Sequence, residues 1–357
     1  MPNTLGNSAV HVIDHVESTP DSTWRKVVPK YQQPDVRRAM IQATTTLGLL
    51  VVALYVMTLS LALPYWITLL LAVPTAGLFV RTFIIMHDCA HGSFLPWKRA
   101  NDTLGFVTGV LTLFPFAQWR RDHAMHHASS GDLDRRGHGD VTTLTVREYQ
   151  ARGWWGRLRY RLFRNPAVLF GLGPLQLMIG QRFHPRGATT TTSDVRSVWA
   201  TNGALVAGVV FCLLVLGWRF VFLVYLPAMY IAGAVGIWLF YVQHQFEDAY
   251  WKKHDEWDYV TAAIKGSSYF KLPRVLQWFT GNIGLHHVHH LGPRIPNYNL
   301  QRCHDENALF HDASVMTLAR SFAVLRLTLW EEDEQRLVTF SAARRPRLTA
   351  GVLKSTV

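Results

Sequence analysis

The segment Phe83-Ile84-Ile85-Met86-His87-Asp88-Cys89-Ala90-His91 joins an apolar run directly to a histidine pair. From Ala39 to Met86 the only charged residue is Arg81. A bilayer core takes about 20 apolar residues per helix, so this length suits two spans, about 40–62 and 66–86. Leu63-Pro64-Tyr65-Trp66 supplies the break between them, because proline interrupts helical pairing and Tyr and Trp favour the interface. His87 and His91, at i and i+4, then continue the second span out of the bilayer on one helix face.

Two further spans are expected at about 199–216 and 220–242, separated by Gly217-Trp218-Arg219, and the second of them delivers His244 at its end. Shorter apolar pieces at Leu104–Phe116 and Val168–Gly180 read as re-entrant or interfacial helices. Residues 118–165 are polar and rich in arginine, residues 181–198 read as a polar connector, and residues 249–357 are polar with short amphipathic stretches. We find no internal repeat. The expected organisation is a cytosolic N-terminal tail over 1–38, a domain over 39–310 and a C-terminal tail over 311–357. The N-terminus has no charged start followed by an apolar run, so no cleaved signal peptide is expected.

Composition agrees with a membrane protein. Apolar residues make up 49% and charged residues 17% of the 357 positions, against about 25% charged in soluble domains. The net charge of +12 comes without a basic run interleaved with aromatics, which favours contact with an anionic membrane face over nucleic-acid binding. Cys89, Cys212 and Cys303 are too far apart for a disulfide framework or a cysteine zinc site. Placing the N-terminus in the cytosol leaves Arg219 as the only cation in the two outer loops and puts the arginine-rich segment inside, as the positive-inside rule requires. It also puts every histidine cluster on one side.

Histidine is in excess, at 17 residues. His123, His126 and His127 stand at i, i+3 and i+4, and His286, His289 and His290 repeat the spacing. On a helix three such imidazoles can point at one place. With His87, His91 and His244 they make nine candidates, more than one metal can take, so two metals are the natural count. Nine buried structural imidazoles without metal would leave many nitrogens needing partners, which is costly. Imidazole suits iron, zinc and copper. The absence of His-Glu-x-x-His removes the general base of a zinc protease, and soluble di-iron enzymes use mainly carboxylates.

The strings His87-Asp88-Cys89-Ala90-His91-Gly92-Ser93-Phe94, Asp122 through His127, and His286 through Leu291 followed by Ile295-Pro296-Asn297-Tyr298-Asn299-Leu300 resemble the membrane fatty acid desaturases. The likeness covers roughly residues 40 to 310, and the last string is similar to the acyl-lipid, Δ12/ω6-type branch. The resemblance implies an all-α integral membrane fold: four transmembrane helices with a helical cytosolic cap holding a di-iron site. It implies two non-haem Fe ions, O2 as co-substrate, and removal of two vicinal hydrogens from a fatty acyl lipid or acyl-CoA. The iron role falls to His87, His91, His123, His126, His127, His286, His289 and His290, and His244 matches the extra histidine after the fourth span. His287 lies off the shared face and is excluded. His11, His15, His138, His184, His254, His304 and His311 have no matching position.

Asp88, Asp122, Asp132, Asp134, Asp140, Glu247 and Asn282 are the nearest partners in sequence for the outer imidazole nitrogens. The Asp132–Asp140 group reads equally as charge pairs with Arg135 and Arg136. Trp119, Arg120 and Arg121 fit either a lipid head-group contact or an interfacial anchor. There is no G-x-G-x-x-G after a strand and no cysteine set for an iron–sulfur cluster. His184-Pro185-Arg186-Gly187 is too isolated for a haem domain. The electron donor is therefore expected to be separate, an acidic ferredoxin or a cytochrome b5-like carrier. A hydroxylase with the same histidine boxes is the nearest alternative. A histidine-rich divalent-metal transporter is a remote one, since transporters place their ligands near the bilayer midplane.

Overall fold

Among the described residues, four helices are long and apolar enough to cross a membrane: Val36–Ser60, Tyr65–Ala90, Thr192–Val215 and Phe220–His244. The computed structural model describes residues 20–137, 141–183 and 190–344. The four helices coincide with the four expected spans. The first begins at Asp35, whose side chain accepts from Arg38 N, and ends before the turn at Leu61–Pro64. The third starts at Thr192, inside the stretch read above as a connector. Thr191 and Asp194 form a reciprocal capping box there, which satisfies the first free N–H groups of the helix. The fourth opens with a π-helical turn over Phe220–Tyr225, just before Pro227. The wider turn suits a proline that offers no N–H and crowds the preceding carbonyls.

The second span is the axis of the molecule. In its most apolar window 61% of residues are buried, against 11% in the third span. The first span, the fourth span and the helices Lys98–Leu111 and Phe116–Ser129 all pack on it. Apolar side chains on the other spans, such as Val51, Leu214 and Phe222, stay exposed, which is the pattern of a lipid-facing surface. The piece read as Leu104–Phe116 begins earlier, as the helix Lys98–Leu111, and turns at Leu113 with φ 66°. The Val168–Gly180 piece is two short helices, Pro166–Gly171 and Gly173–Gly180, held to the fourth span by Tyr230 Oη donating to Gly171 O at 2.7 Å.

A cap covers the end of the bundle where the second and fourth spans finish. It is mostly helical, with short strands at Leu144–Thr145, Leu329–Glu331 and Arg336–Val338 in one sheet and Tyr269–Lys271 with Val315–Thr317 in another. The helix Arg274–Phe279 sits on the second span, where Gly77 leaves room for the Phe279 ring. Arg81 reaches the carbonyl of Trp278, lies 4.2 Å from its ring centre and donates to Thr46 Oγ1 at 3.1 Å. The single charge between Ala39 and Met86 thus ties the bundle to the cap. Parts of both flanking segments pack onto the cap as well: Tyr31 Oη donates to Glu306 at 2.6 Å, and Arg147 pairs with Asp333 at 2.6 Å.

Candidate metal centre

The histidine boxes sit on three helices. His87 is in the last turn of the second span and His91 caps it. His123, His126 and His127 ride on Phe116–Ser129. That helix approaches closely because Gly105 leaves space for the Phe116 ring, which a Cβ would meet at 2.2 Å. His286, His289 and His290 lie on the six-residue helix His286–Leu291 in the cap, and His244 ends the fourth span.

The turn before the third box is set by backbone contact. Phe270 N donates to Gly284 O at 2.7 Å, and a Cβ on Gly284 would stand 2.4 Å from Phe270 O. Gly284→Ala must push the strand Tyr269–Lys271 off the box. It is expected to cost about 2 kcal/mol of stability and to appear as a lowered Tm. An unchanged Tm would mean that this contact does not position the third box.

All nine predicted imidazoles come together, in two groups. His87, His91, His123, His127 and His289 form one, and His126, His244, His286 and His290 form the other. Within each group the candidate ligand atoms lie within 4.8 Å of one another. The i, i+4 pairs stay together (87 with 91, 123 with 127, 286 with 290), while the i+3 members His126 and His289 join the opposite group. This corrects the expectation that each triplet points at one place.

The nitrogens fit metal and fit hydrogen bonding poorly. His289 Nε2 faces His87 Nε2 at 3.0 Å and His127 Nε2 at 2.9 Å. His286 Nε2 faces His244 Nε2 at 2.9 Å and His290 Nε2 at 3.1 Å. His91 Nε2 is buried without any hydrogen-bond partner. A ring nitrogen carries one proton or one lone pair, so it cannot serve two such neighbours. Two outer nitrogens fix the tautomer: His87 Nδ1 donates to Asp88 Oδ1 at 3.1 Å and His244 Nδ1 to Gly266 O at 3.1 Å, which leaves the inward Nε2 lone pairs bare. Burial, reinforced by the neighbouring imidazoles, holds His91, His123, His127, His286, His289 and His290 well below the ordinary histidine pKa. These side chains are neutral near pH 7, the state that binds metal.

His287 stands apart. Its Nε2 bonds His304 Nδ1 at 3.1 Å, and burial pushes its pKa down to about 3. His254 bonds Asp132 Oδ2 at 2.7 Å, so Asp132 serves His254 and Arg135 and not a boxed imidazole. Arg136 pairs instead with Glu148 at 2.5 Å, and Glu247 pairs with Arg320 at 2.7 Å. Asn282 Nδ2 donates to Asn297 O at 3.0 Å. Trp119 turns inward and stacks on His123, with ring centres 4.4 Å apart. Arg120 and Arg121 tie to Asp102 and Asp194 within the protein. Asp140, His11, His15, His138 and the His184–Gly187 stretch lie outside the described residues. The Gly266 carbonyl was missed, since a backbone partner has no sequence signature; Asn297 was visible within the Ile295–Leu300 string.

Comparison with known proteins points the same way. The fatty acid desaturase family model matches residues 60–318. A fatty acid desaturase of Bacillus subtilis is 45% identical over 320 residues, covering 89% of this chain and 90% of that one. An sn-1 acyl-lipid omega-3 desaturase (ferredoxin) of Synechocystis is 30% identical over 235 residues, 63% of each chain. A chloroplastic omega-6 fatty acid desaturase of Arabidopsis thaliana is 26% identical over 290 residues, 76% of this chain and 58% of that one.

Proposed function

The chain belongs to the membrane fatty acid desaturase family and is an oxidoreductase of that kind, and from that premise we propose that it places a cis double bond in the acyl chain of a membrane lipid, with Δ12/ω6-type selectivity. The observation that carries the reading is the sorting of nine imidazoles into groups of five and four. Two iron ions held there would supply activation of O2, which with two electrons and two protons takes two vicinal hydrogens and leaves as two waters. The protein's share is to hold nine imidazole nitrogens in place, fixing His87 through Asp88 and His244 through the Gly266 carbonyl. Burial of His87, His126, His127, His244, His286, His289 and His290 keeps bulk water from the reacting carbons. Residues 39–310 form the catalytic unit, with the flanking segments packed on its cap.

The acyl-lipid assignment draws support from the Ile295–Leu300 string and from the omega-3 and omega-6 names of the relatives. Two electrons per turnover must come from outside, and a ferredoxin-type or b5-like carrier fits the basic chain. Its approach is over Trp257 and Tyr259, which lie beside His127 and His290. Trp257 Nε1 donates to Ser130 O at 3.0 Å and Tyr259 Oη to His290 O at 2.8 Å. The chain is a multi-pass membrane protein with the cap and both termini on the cytosolic side, an orientation that the positive-inside count supports.

Expression in a host of known lipid composition, with fatty-acid profiling by mass spectrometry, tests the proposal. A new double bond at the Δ12 or ω6 position is the expected product. A hydroxylated chain without a new double bond would identify a hydroxylase instead.

A further inference from the structure

A second cleft lies away from the histidines, at the edge of the cap. It is an open cleft of about 500 Å³, lined by Arg161, Arg164, Arg326, Thr328, Phe340 and Ser341, among others. Arg164 is 2% exposed. Its guanidinium donates to Thr142 O, Thr143 Oγ1, Tyr241 Oη, Gln245 Oε1 and Leu327 O, all neutral acceptors. Arg161 donates to the Tyr149 hydroxyl and lies 4.7 Å from the Phe340 ring centre. None of the three arginines has a carboxylate partner among the described residues, although Arg120, Arg121, Arg136, Arg147 and Arg320 each have one.

A buried cation without a counter-charge is costly, and buried polar atoms are ordinarily bonded. Two lining residues nonetheless keep buried atoms without a partner, Arg164 Nε and Thr328 Oγ1. The cleft is therefore positive: three arginines line it, and none is paired with a carboxylate among the described residues. Arginine forks match the paired oxygens of a phosphate.

The surroundings indicate where the phosphate comes from. Leu162 and Phe163, between Arg161 and Arg164, are 51% and 41% exposed, and Trp154 and Trp155 on the same helix are exposed too. The chain then runs through Pro166 into the two short helices held against the fourth span. The cleft thus opens where the cap meets the lipid-facing surface, at the depth where aromatic side chains and lipid head groups meet.

We propose that this cleft binds the phosphate of an anionic phospholipid head group, gripped by Arg161 and Arg326 above the buried Arg164. It does not depend on the metal assignment. Arg164 nevertheless reaches Gln245, the residue after His244, at 2.8 Å, so occupancy of the cleft bears on the end of the fourth span.

The test uses the full chain purified in an uncharged detergent. Thermal unfolding is followed with sodium phosphate against sodium chloride of equal ionic strength, and with phosphatidylglycerol against phosphatidylcholine in mixed micelles. Wild type is expected to gain thermal stability in a saturable way with phosphatidylglycerol, and Arg326→Gln is expected to weaken that binding about tenfold. Arg161→Gln is an independent second variant, should the first fail to fold. A response to inorganic phosphate alone, lost in the variants, would keep the phosphate site but assign it to a soluble ligand. No response beyond the chloride control, or equal responses in wild type and both variants, would overturn the proposal.

Discussion

Replacing His289 with alanine is expected to abolish desaturation, a loss of at least about 10³-fold, or about 4 kcal/mol of transition-state stabilisation. The chain is expected to lose metal from the five-histidine group. His289 is the one member of that group supplied by the cap. Its Nε2 lies within 3.0 Å of two other imidazole nitrogens, from the first and second boxes. Removing it opens the group on the cap side and leaves four imidazoles, all from the second span and the helix beside it. If the centre takes two ions, as proposed above, it needs both, and partial occupancy gives no partial activity. Fatty-acid profiling measures the activity and elemental analysis the iron per chain. His287→Gln is the matched control, because His287 is buried against His304 outside both groups; it should keep its metal. If His289→Ala retained full activity, the ligand assignment would be wrong.

The spans and all nine ligand candidates were legible in the sequence because both rest on local pattern. Apolar length gave the spans, the i, i+3, i+4 spacing marked the second and third boxes, and the His87–His91 pair and His244 stood at the ends of the second and fourth spans. The division of each triplet was not read from that spacing, yet helix geometry contains it. At about 100° per residue, position i+4 lies about 40° to one side of position i and position i+3 about 60° to the other. A triplet therefore straddles two centres, and His126 and His289 cross over as they do. The third-span start was likewise present, in the Thr191–Asp194 capping box, although the charged stretch around it read as a connector. What the sequence withheld are contacts between distant segments. Asp132 turns to His254, 122 positions away, and Trp119 turns inward onto His123. Such choices depend on which surfaces the packed helices bring together, and no local period encodes them.

Asp88→Ala is expected to weaken metal binding about 10- to 100-fold and to cost about 2–4 kcal/mol of stability. Asp88 is 2% exposed and uses both carboxylate oxygens. Oδ1 accepts from His87 Nδ1, while Oδ2 accepts from Asn297 N at 2.7 Å and Asn297 Nδ2 at 2.8 Å. Asn297 Oδ1 in turn accepts from Gln42 on the first span at 3.1 Å. One carboxylate therefore joins the first box, the chain just after the third box, and the first span. Alanine would leave two Asn297 donors buried and unpaired and would free His87 to rotate or change tautomer, turning a protonated nitrogen toward the metal. These effects separate by measurement. The Tm of metal-free protein reports the unpaired donors, and iron retention against a competing chelator reports the loss of His87 orientation. Asp88→Asn tests the charge at nearly constant volume. With its oxygen turned to the two Asn297 donors and its NH2 to His87 Nδ1, it keeps the Asn297 bonds but makes His87 Nδ1 an acceptor and puts the ring proton on Nε2, so it should rescue packing and leave metal binding weak. An Asp88→Ala chain that held iron as tightly as wild type would show that His87 is positioned by packing alone, through Trp119 and the walls of the second span, and that the carboxylate serves only to lock the cap onto the bundle.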